Sequence, residues 1–345
     1  MFSITETIQV AVQKSCASIA LFLNVCLIYL IINKSPKELG PYKYLMIYIS
    51  ILEVIYAAMD FLVLPIFHHT GFTFLIITRL ESAFFDPQIQ LILSGAYCGL
   101  YGSCMALFGI HFIYRYLVIK GNKMLKTFRS WKILCWFSIP IIYGVIWGSI
   151  AVLFCGPRDV TNRLIETYLL ESLDLKLNNI VYIGPYLFTE SGEMYWPAAI
   201  GLLVDMVIIN SSFFTVIYFG VLLFKEIRKY TVDNQLLSDK NKSLQTQLYY
   251  SLVTQTLIPV VLLQLPVSIL FTTVFCSLDL GEFSSLVSMT IAVYPAIDPL
   301  PTMFIVTSYR RAIIDLFQGV WKFLTCKSKS SRAKAAAMSV ETTRN

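Results

Sequence analysis

A chain of 345 residues that is 57% hydrophobic and only 14% charged, with a formal charge of +6, cannot hydrate the surface of a soluble globule, which takes about 25% charged residues. Its 24 Phe, 20 Tyr and 5 Trp are too many for a solvated, disordered chain. Composition excludes a soluble enzyme and points to a polytopic membrane protein.

A helix that crosses a hydrocarbon core of about 30 Å needs about 20 mostly apolar residues. Seven stretches qualify: 10–32, 44–67, 90–119, 133–155, 197–224, 252–276 and 284–306. The first has neither a basic start nor a small-residue cleavage site, so it reads as a span and not as a leader. The third is long enough to project past the inner headgroups. The connections are short and polar, except for residues 156–196.

Of the 27 Lys and Arg, 21 lie in segments 33–43, 120–132, 225–251 and 307–345, and 5 lie in the opposite set. That asymmetry puts the N-terminus outside and the tail in the cytoplasm. The net charge then reflects topology and gives no reason to expect a nucleic-acid partner. The expected fold class is all-α: a seven-helix membrane bundle over residues 1–306. Open strands would leave backbone groups unpaired in lipid, and no period-2 alternation appears.

Beyond the bundle, Ile313, Leu316, Phe317, Val320, Trp321 and Leu324 recur at helical spacing. They predict an amphipathic eighth helix over 307–326 in the inner leaflet interface, followed by a disordered basic tail over 327–345. Cys326 stands directly before Lys327, Lys329, Arg332 and Lys334. A palmitoyl group there, with the basic cluster, would supply the two signals that stable anchoring needs.

Within the spans, Gly95-x-x-x-Gly99 and Gly144-x-x-x-Gly148 permit close helix approach. Pro259, Pro266, Pro295, Pro299 and Pro301 each remove a backbone donor and predict kinks in spans six and seven. Four acids lie at membrane depth: Glu53, Asp60, Asp205 and Asp298. Ionisable groups there are costly and mark candidate sites. Asp60 and Asp205 fall in the outer halves of their spans, with Tyr97 and Tyr101 one turn apart at a similar depth. These four are the candidate ligand-binding residues. The residues themselves leave two readings open for each acid, a polar anchor for a small ligand or a hydrogen-bonded acid that fixes helix packing.

The remaining chemistry is sparse. No zinc-protease, Walker or nucleophile-elbow motif occurs, so no catalytic residue and no cofactor is expected. The seventh span holds no Lys, which excludes a retinal Schiff base. His68 and His69 lack further ligands, so no metal site is expected. The cysteines lie mostly inside spans, which argues against a disulfide framework; Cys155 and Cys276 alone sit at outer helix ends.

Three segments go beyond composition: Pro41–Tyr48, His111-Phe112-Ile113-Tyr114-Arg115-Tyr116, and Tyr294-Pro295-Ala296-Ile297-Asp298-Pro299-Leu300-Pro301. Together with Ser308-Tyr309-Arg310-Arg311, they resemble the nematode serpentine chemoreceptors of the Str (class R) group, over nearly the whole chain. The resemblance implies a G-protein-coupled chemosensory receptor in the plasma membrane, on sensory cilia, with an odorant-like small molecule and a heterotrimeric G protein as partners. It also implies that Arg115, with Tyr116, faces the G protein or locks the resting state, and that Asp298-Pro299 forms the switch of span seven. Two departures limit the transfer. Tyr114 stands where an acid precedes the arginine in most rhodopsin-like receptors, and Thr302 stands where they carry Tyr.

A seven-helix ligand-gated channel or transporter is the competing class. The outer halves of the spans are aromatic and aliphatic, which suits a small, rather apolar or volatile ligand. Orientation has its own check: Asn33-Lys34-Ser35 and Asn241-Lys242-Ser243 match the glycan acceptor pattern yet fall on the cytoplasmic side. Both asparagines should stay unmodified in receptor expressed through the secretory pathway, as read by glycosidase gel shift. Glycan on either would invert the topology.

Overall fold

The computed structural model of the chain describes residues 4–70, 73–129, 131–188, 193–233, 239–276, 278, 280–281, 284–319 and 321–322. Four spans are single helices: α1 (Ile4–Lys34), α2 (Tyr42–Val63), α3 (Pro87–Lys120) and α4 (Ile133–Cys155). A short helix, α5 (Asp159–Leu173), lies in the long outer connection, and α6 (Trp196–Asp233) is span five. Span six is α7 (Asp239–Pro259) and α8 (Leu265–Cys276), joined by a π-helical turn at Val260–Gln264. Span seven is α9 (Ser284–Ile297) and α10 (Pro299–Ile305). A last helix, α11 (Thr307–Gly319), turns away from it by 96°.

Local chemistry explains the ends and breaks. The Asp86 side chain accepts from the Gln88 and Ile89 amides, and Pro87 opens α3 at a position that needs no donor. Gly121 closes the same helix at φ +64. In span six Pro259 cannot donate to the ladder, and the turn that follows widens to π geometry. In span seven Pro299 interrupts the helix at Asp298. Helix α2 stops before the 67 expected from hydropathy, because Leu64 takes φ +45 and Pro65 follows. Helix α6 continues past 224 to Asp233, beyond the apolar stretch.

Span three is the central post, with every residue from Tyr101 to Phe112 buried. It meets α4 along a glycine seam in which the two G-x-x-x-G motifs face each other. A Cβ on Gly99 would overlap the Gly144 carbonyl, and one on Gly148 would lie 2.7 Å from the Gly95 oxygen. The Ser103 hydroxyl donates across the seam to the Pro140 carbonyl at 2.9 Å.

The bundle is helical as expected, but its outer connections also carry a sheet. Strand β1 (Ile66–Thr70) pairs antiparallel with β2 (Thr73–Arg79), which pairs with β3 (Ile180–Ile183). This sheet caps the outer mouth. Gln13 of α1 donates to the Pro65 carbonyl at 2.8 Å, and Thr73 Oγ1 donates to the Pro185 carbonyl at 2.9 Å. His69 accepts the Leu280 amide on Nδ1 (3.4 Å), which leaves Nε2–H to donate to Thr273 of α8 at 3.0 Å. Arg79 pairs with the buried Glu6 of α1 at 2.6 Å, and His68 Nε2 lies 4.0 Å from the same carboxylate. Among the described residues all seven cysteines are free thiols, Cys155 and Cys276 included, and no group of three metal-ligating side chains assembles.

Two outcomes follow. A Gly99→Val receptor should lose on the order of 2 kcal/mol of stability through overpacking at the seam, seen as a lower melting temperature of purified protein. Gly319→Ala, on an open face of α11, should leave it unchanged or slightly higher. The lid should respond to acid. Burial holds His68 at about 4 against 6.5, opposed by Glu6 and aided by Arg79. The folded lid therefore binds this proton more weakly than the unfolded one, and stability present at neutral pH falls as pH drops from 6.5 towards 4. By pH 5 the loss is on the order of 2 kcal/mol. Hydrogen exchange in residues 66–79, corrected for intrinsic rates, should accelerate at pH 5 in the wild type and not in His68→Asn.

Candidate functional site

Beneath the sheet the outer halves of the spans line a cavity of about 70 Å³. Phe67, Phe74, Ile76 and Ile183 of the sheet form its roof. Tyr56 of α2, Tyr97 and Tyr101 of α3, Trp147 of α4 and Phe271 of α8 line its wall. The rings support one another: Tyr56–Tyr97 and Tyr101–Trp147 centroids are each 5.2 Å apart, and Phe74 stacks on Phe271 at 5.5 Å.

Three of the four residues singled out for a ligand thus line one cavity: Tyr97, Tyr101 and Asp205. Asp60 is buried as well but is not part of the lining. It lies behind the wall, beside Tyr56 and Tyr97. One residue that periodicity did not single out connects the cavity to the rest of the bundle. Gln264, in the π turn of span six, accepts a hydrogen bond from the Tyr101 hydroxyl at 3.3 Å and donates to Ser268 at 3.3 Å. An amide inside an apolar span was the available signal, since such a group must find partners within the protein.

Below the cavity the other acids sit in a buried polar layer. The Tyr294 hydroxyl donates to Glu53 at 3.4 Å, and Asn24 donates to the Pro295 carbonyl at 3.0 Å. Gln255 of α7 reaches both the carbonyl and the carboxylate of Asp298, each at 3.2 Å. Ser251 and Thr302 share a 2.9 Å hydrogen bond, so the threonine in the place of the expected tyrosine ties span seven to span six. Pro299, buried, begins α10 immediately after.

At the inner end Arg115 is 2% exposed and lies a turn and more before the helix terminus at Lys120. Its guanidinium donates to the side-chain oxygen of Gln245 at 2.7 Å and to the Gln245 carbonyl at 3.2 Å. It lies 5.2 Å over the Tyr42 ring, which stacks on Tyr114 at 5.3 Å and meets His111 Nδ1 through its hydroxyl at 3.2 Å. Tyr116, by contrast, packs edge-on against Phe219 of α6. The acid missing before Arg115 is therefore replaced by a neutral amide from span six. Gln247, one turn-face away, accepts the Thr307 amide at the bend into α11 at 2.9 Å. Cys326 lies outside the described residues.

Residues 9–314 match the family model described as the serpentine type 7TM GPCR chemoreceptor Str. The chain is 32% identical over 308 residues, 89% of each chain, to the G-protein coupled receptor str-217 of Caenorhabditis elegans. It is 28% identical to the serpentine receptor class r-10 of Caenorhabditis briggsae, over 91% of this chain and 90% of the relative. Squid rhodopsin is similar in fold, with a TM-score of 0.55 at 14% identity over 94% of this chain and 89% of the other. The cavity, the broken spans six and seven and the buried arginine thus stand in a protein that belongs to the Str family of serpentine seven-transmembrane chemoreceptors, and not in an enzyme.

Proposed function

We propose that this receptor takes a small, mostly apolar ligand into the cavity under the outer sheet and activates a heterotrimeric G protein at its inner face. Span six is the moving part. The single observation that carries the reading is that this span is hydrogen-bonded to α3 at two levels: Gln264 of its π turn to Tyr101 in the cavity wall, and Gln245 to Arg115 at the inner end. A ligand that displaces Tyr101 changes the contacts of the π turn. The inner half, α7, then swings from α3, and the freed Arg115 offers its five donors to carbonyls of a G-protein α-subunit. Ligand and G protein select the same open state, so each favours the other.

The remaining assignments follow from this reading. Asp298 and Pro299 form the break about which span seven adjusts, because Gln255 of the moving span holds Asp298 directly. Tyr116 keeps α3 in register with α6. Leu316 and Phe317 of α11 are 67% and 70% exposed, which suits a helix lying in the inner leaflet of the plasma membrane, with acylation of Cys326 as its second anchor. Placement on a sensory cilium and an odorant as ligand complete the proposal.

Two variants test the coupling. Arg115→Ala should reach the cell surface and bind ligand without G protein, yet lose the G-protein response. Gln245→Leu should do the opposite and raise basal signalling. The side-chain hydrogen bond it removes involves a charged group and is worth about 1.5–3 kcal/mol, so the resting-to-active ratio shifts roughly tenfold or more. A ligand-evoked current that persists in Arg115→Ala and in cells without G proteins would favour a channel instead.

A further inference from the structure

The cavity is chemically lopsided. Its walls hold seven aromatic rings and one acid, with no Lys, Arg or His among the lining residues. That acid, Asp205 of α6, is 3% exposed, and its Oδ1 is fully buried with no hydrogen-bond partner among the described residues. No ion pair reaches it there either. Arg158, at the outer end of α4, is occupied by the Leu153 carbonyl at 2.6 Å and by the Tyr195 ring at 4.8 Å.

A carboxyl buried at membrane depth without a partner is strongly unfavourable, and such a group persists where its partner arrives from elsewhere. The cavity walls say what that partner is. Tyr56, Tyr97, Tyr101 and Trp147 present electron-rich faces that attract a cation, and Asp60, behind the tyrosines, adds field of the same sign. An anionic ligand finds no cation in the lining. A ligand without a donor leaves Asp205 unsatisfied. We infer that the ligand is a small protonated alkylamine, its ammonium on the Asp205 carboxylate and its hydrocarbon part against the rings. The cavity's 70 Å³, at about 10–15 Å³ per water-sized group, admits about five to seven of them, which suits an amine with a short branched chain.

The inference rests on the cavity being the ligand site, and the test separates the two claims. Full-length receptor in lipid nanodiscs is titrated with isopentylamine, isopentyl alcohol and methyl isobutyl ketone, with the ligand-induced rise in melting temperature as the readout. The amine should bind the wild type at least about tenfold more tightly than the isosteric alcohol, as a charge-assisted contact requires. Asp205→Asn should lose that preference while keeping its affinity for the alcohol, and Asp205→Glu should retain part of it. If Asp205→Asn does not fold, the wild-type comparison decides alone. Equal or tighter binding of the alcohol or ketone, no binding of the amine, or an unchanged amine affinity in Asp205→Asn overturns the inference. Alcohol or ketone binding that is lost in Trp147→Ala would keep the cavity as the ligand site while the amine falls. Amine binding that depends on Asp205 but evokes no G-protein response would keep the chemistry and remove the signalling role.

Discussion

A guanidinium inside a bilayer has to find its acceptors within the protein, because lipid offers none. Arg115 finds two of them on a single residue, Gln245, on a different span. That constraint fixes the inner end of α7 against α3, and much of the resting arrangement depends on it. Gln247, Ser251 and Gln255, spaced by four on another face of α7, tie the helix to the bend before α11 and to span seven. Span six is thus held to three neighbours by amides and hydroxyls, groups whose neutral hydrogen bonds are individually modest. The bond to Arg115 is the exception, and its opening leaves one buried charge to find new partners where a broken ion pair would leave two.

The outer end obeys the same rule through different chemistry. The sheet presents buried backbone and polar side chains over the cavity: Thr73 of β2 itself meets Pro185, Gln13 of α1 meets Pro65, and Thr273 of α8 meets His69. The last contact places the lid directly on α8. Since α8 also supplies Phe271 to the cavity and follows the π turn that holds Gln264, lid, cavity and kink form one continuous piece of packing. A change in cavity contents is felt where span six is already irregular. The π turn lacks the regular ladder that makes the rest of the span stiff.

How much of this was legible in the sequence varies with the physics involved. Membrane spans are written in hydropathy, and the seven stretches recur as helices, with the kinks at Pro259 and Pro299 where a missing donor demands them. The glycine motifs were ambiguous singly and became meaningful only because they face each other. The sheet was hidden because β2 is buried along its whole length, so its residues read as an apolar run without alternation. Its partner β1 begins inside a stretch that hydropathy assigns to span two, and only the left-handed Leu64 ends the helix earlier. Tyr97, Tyr101 and Asp205 could be grouped by depth, but depth does not give rotation, and Asp60 is not part of the cavity lining. The Gln245 partner of Arg115 lies 130 residues away in sequence, and nothing local to either residue announces the contact.

The Arg115–Gln245 contact holds the inner end of span six against span three. Spin labels at Lys123 and Ser243, both exposed near the inner ends of these spans, report that separation by double electron–electron resonance in a background without other reactive thiols. The account predicts a single short-distance population in the otherwise native receptor and an added longer-distance population when Gln245 is replaced by Leu. An identical distance distribution in the two proteins would contradict it.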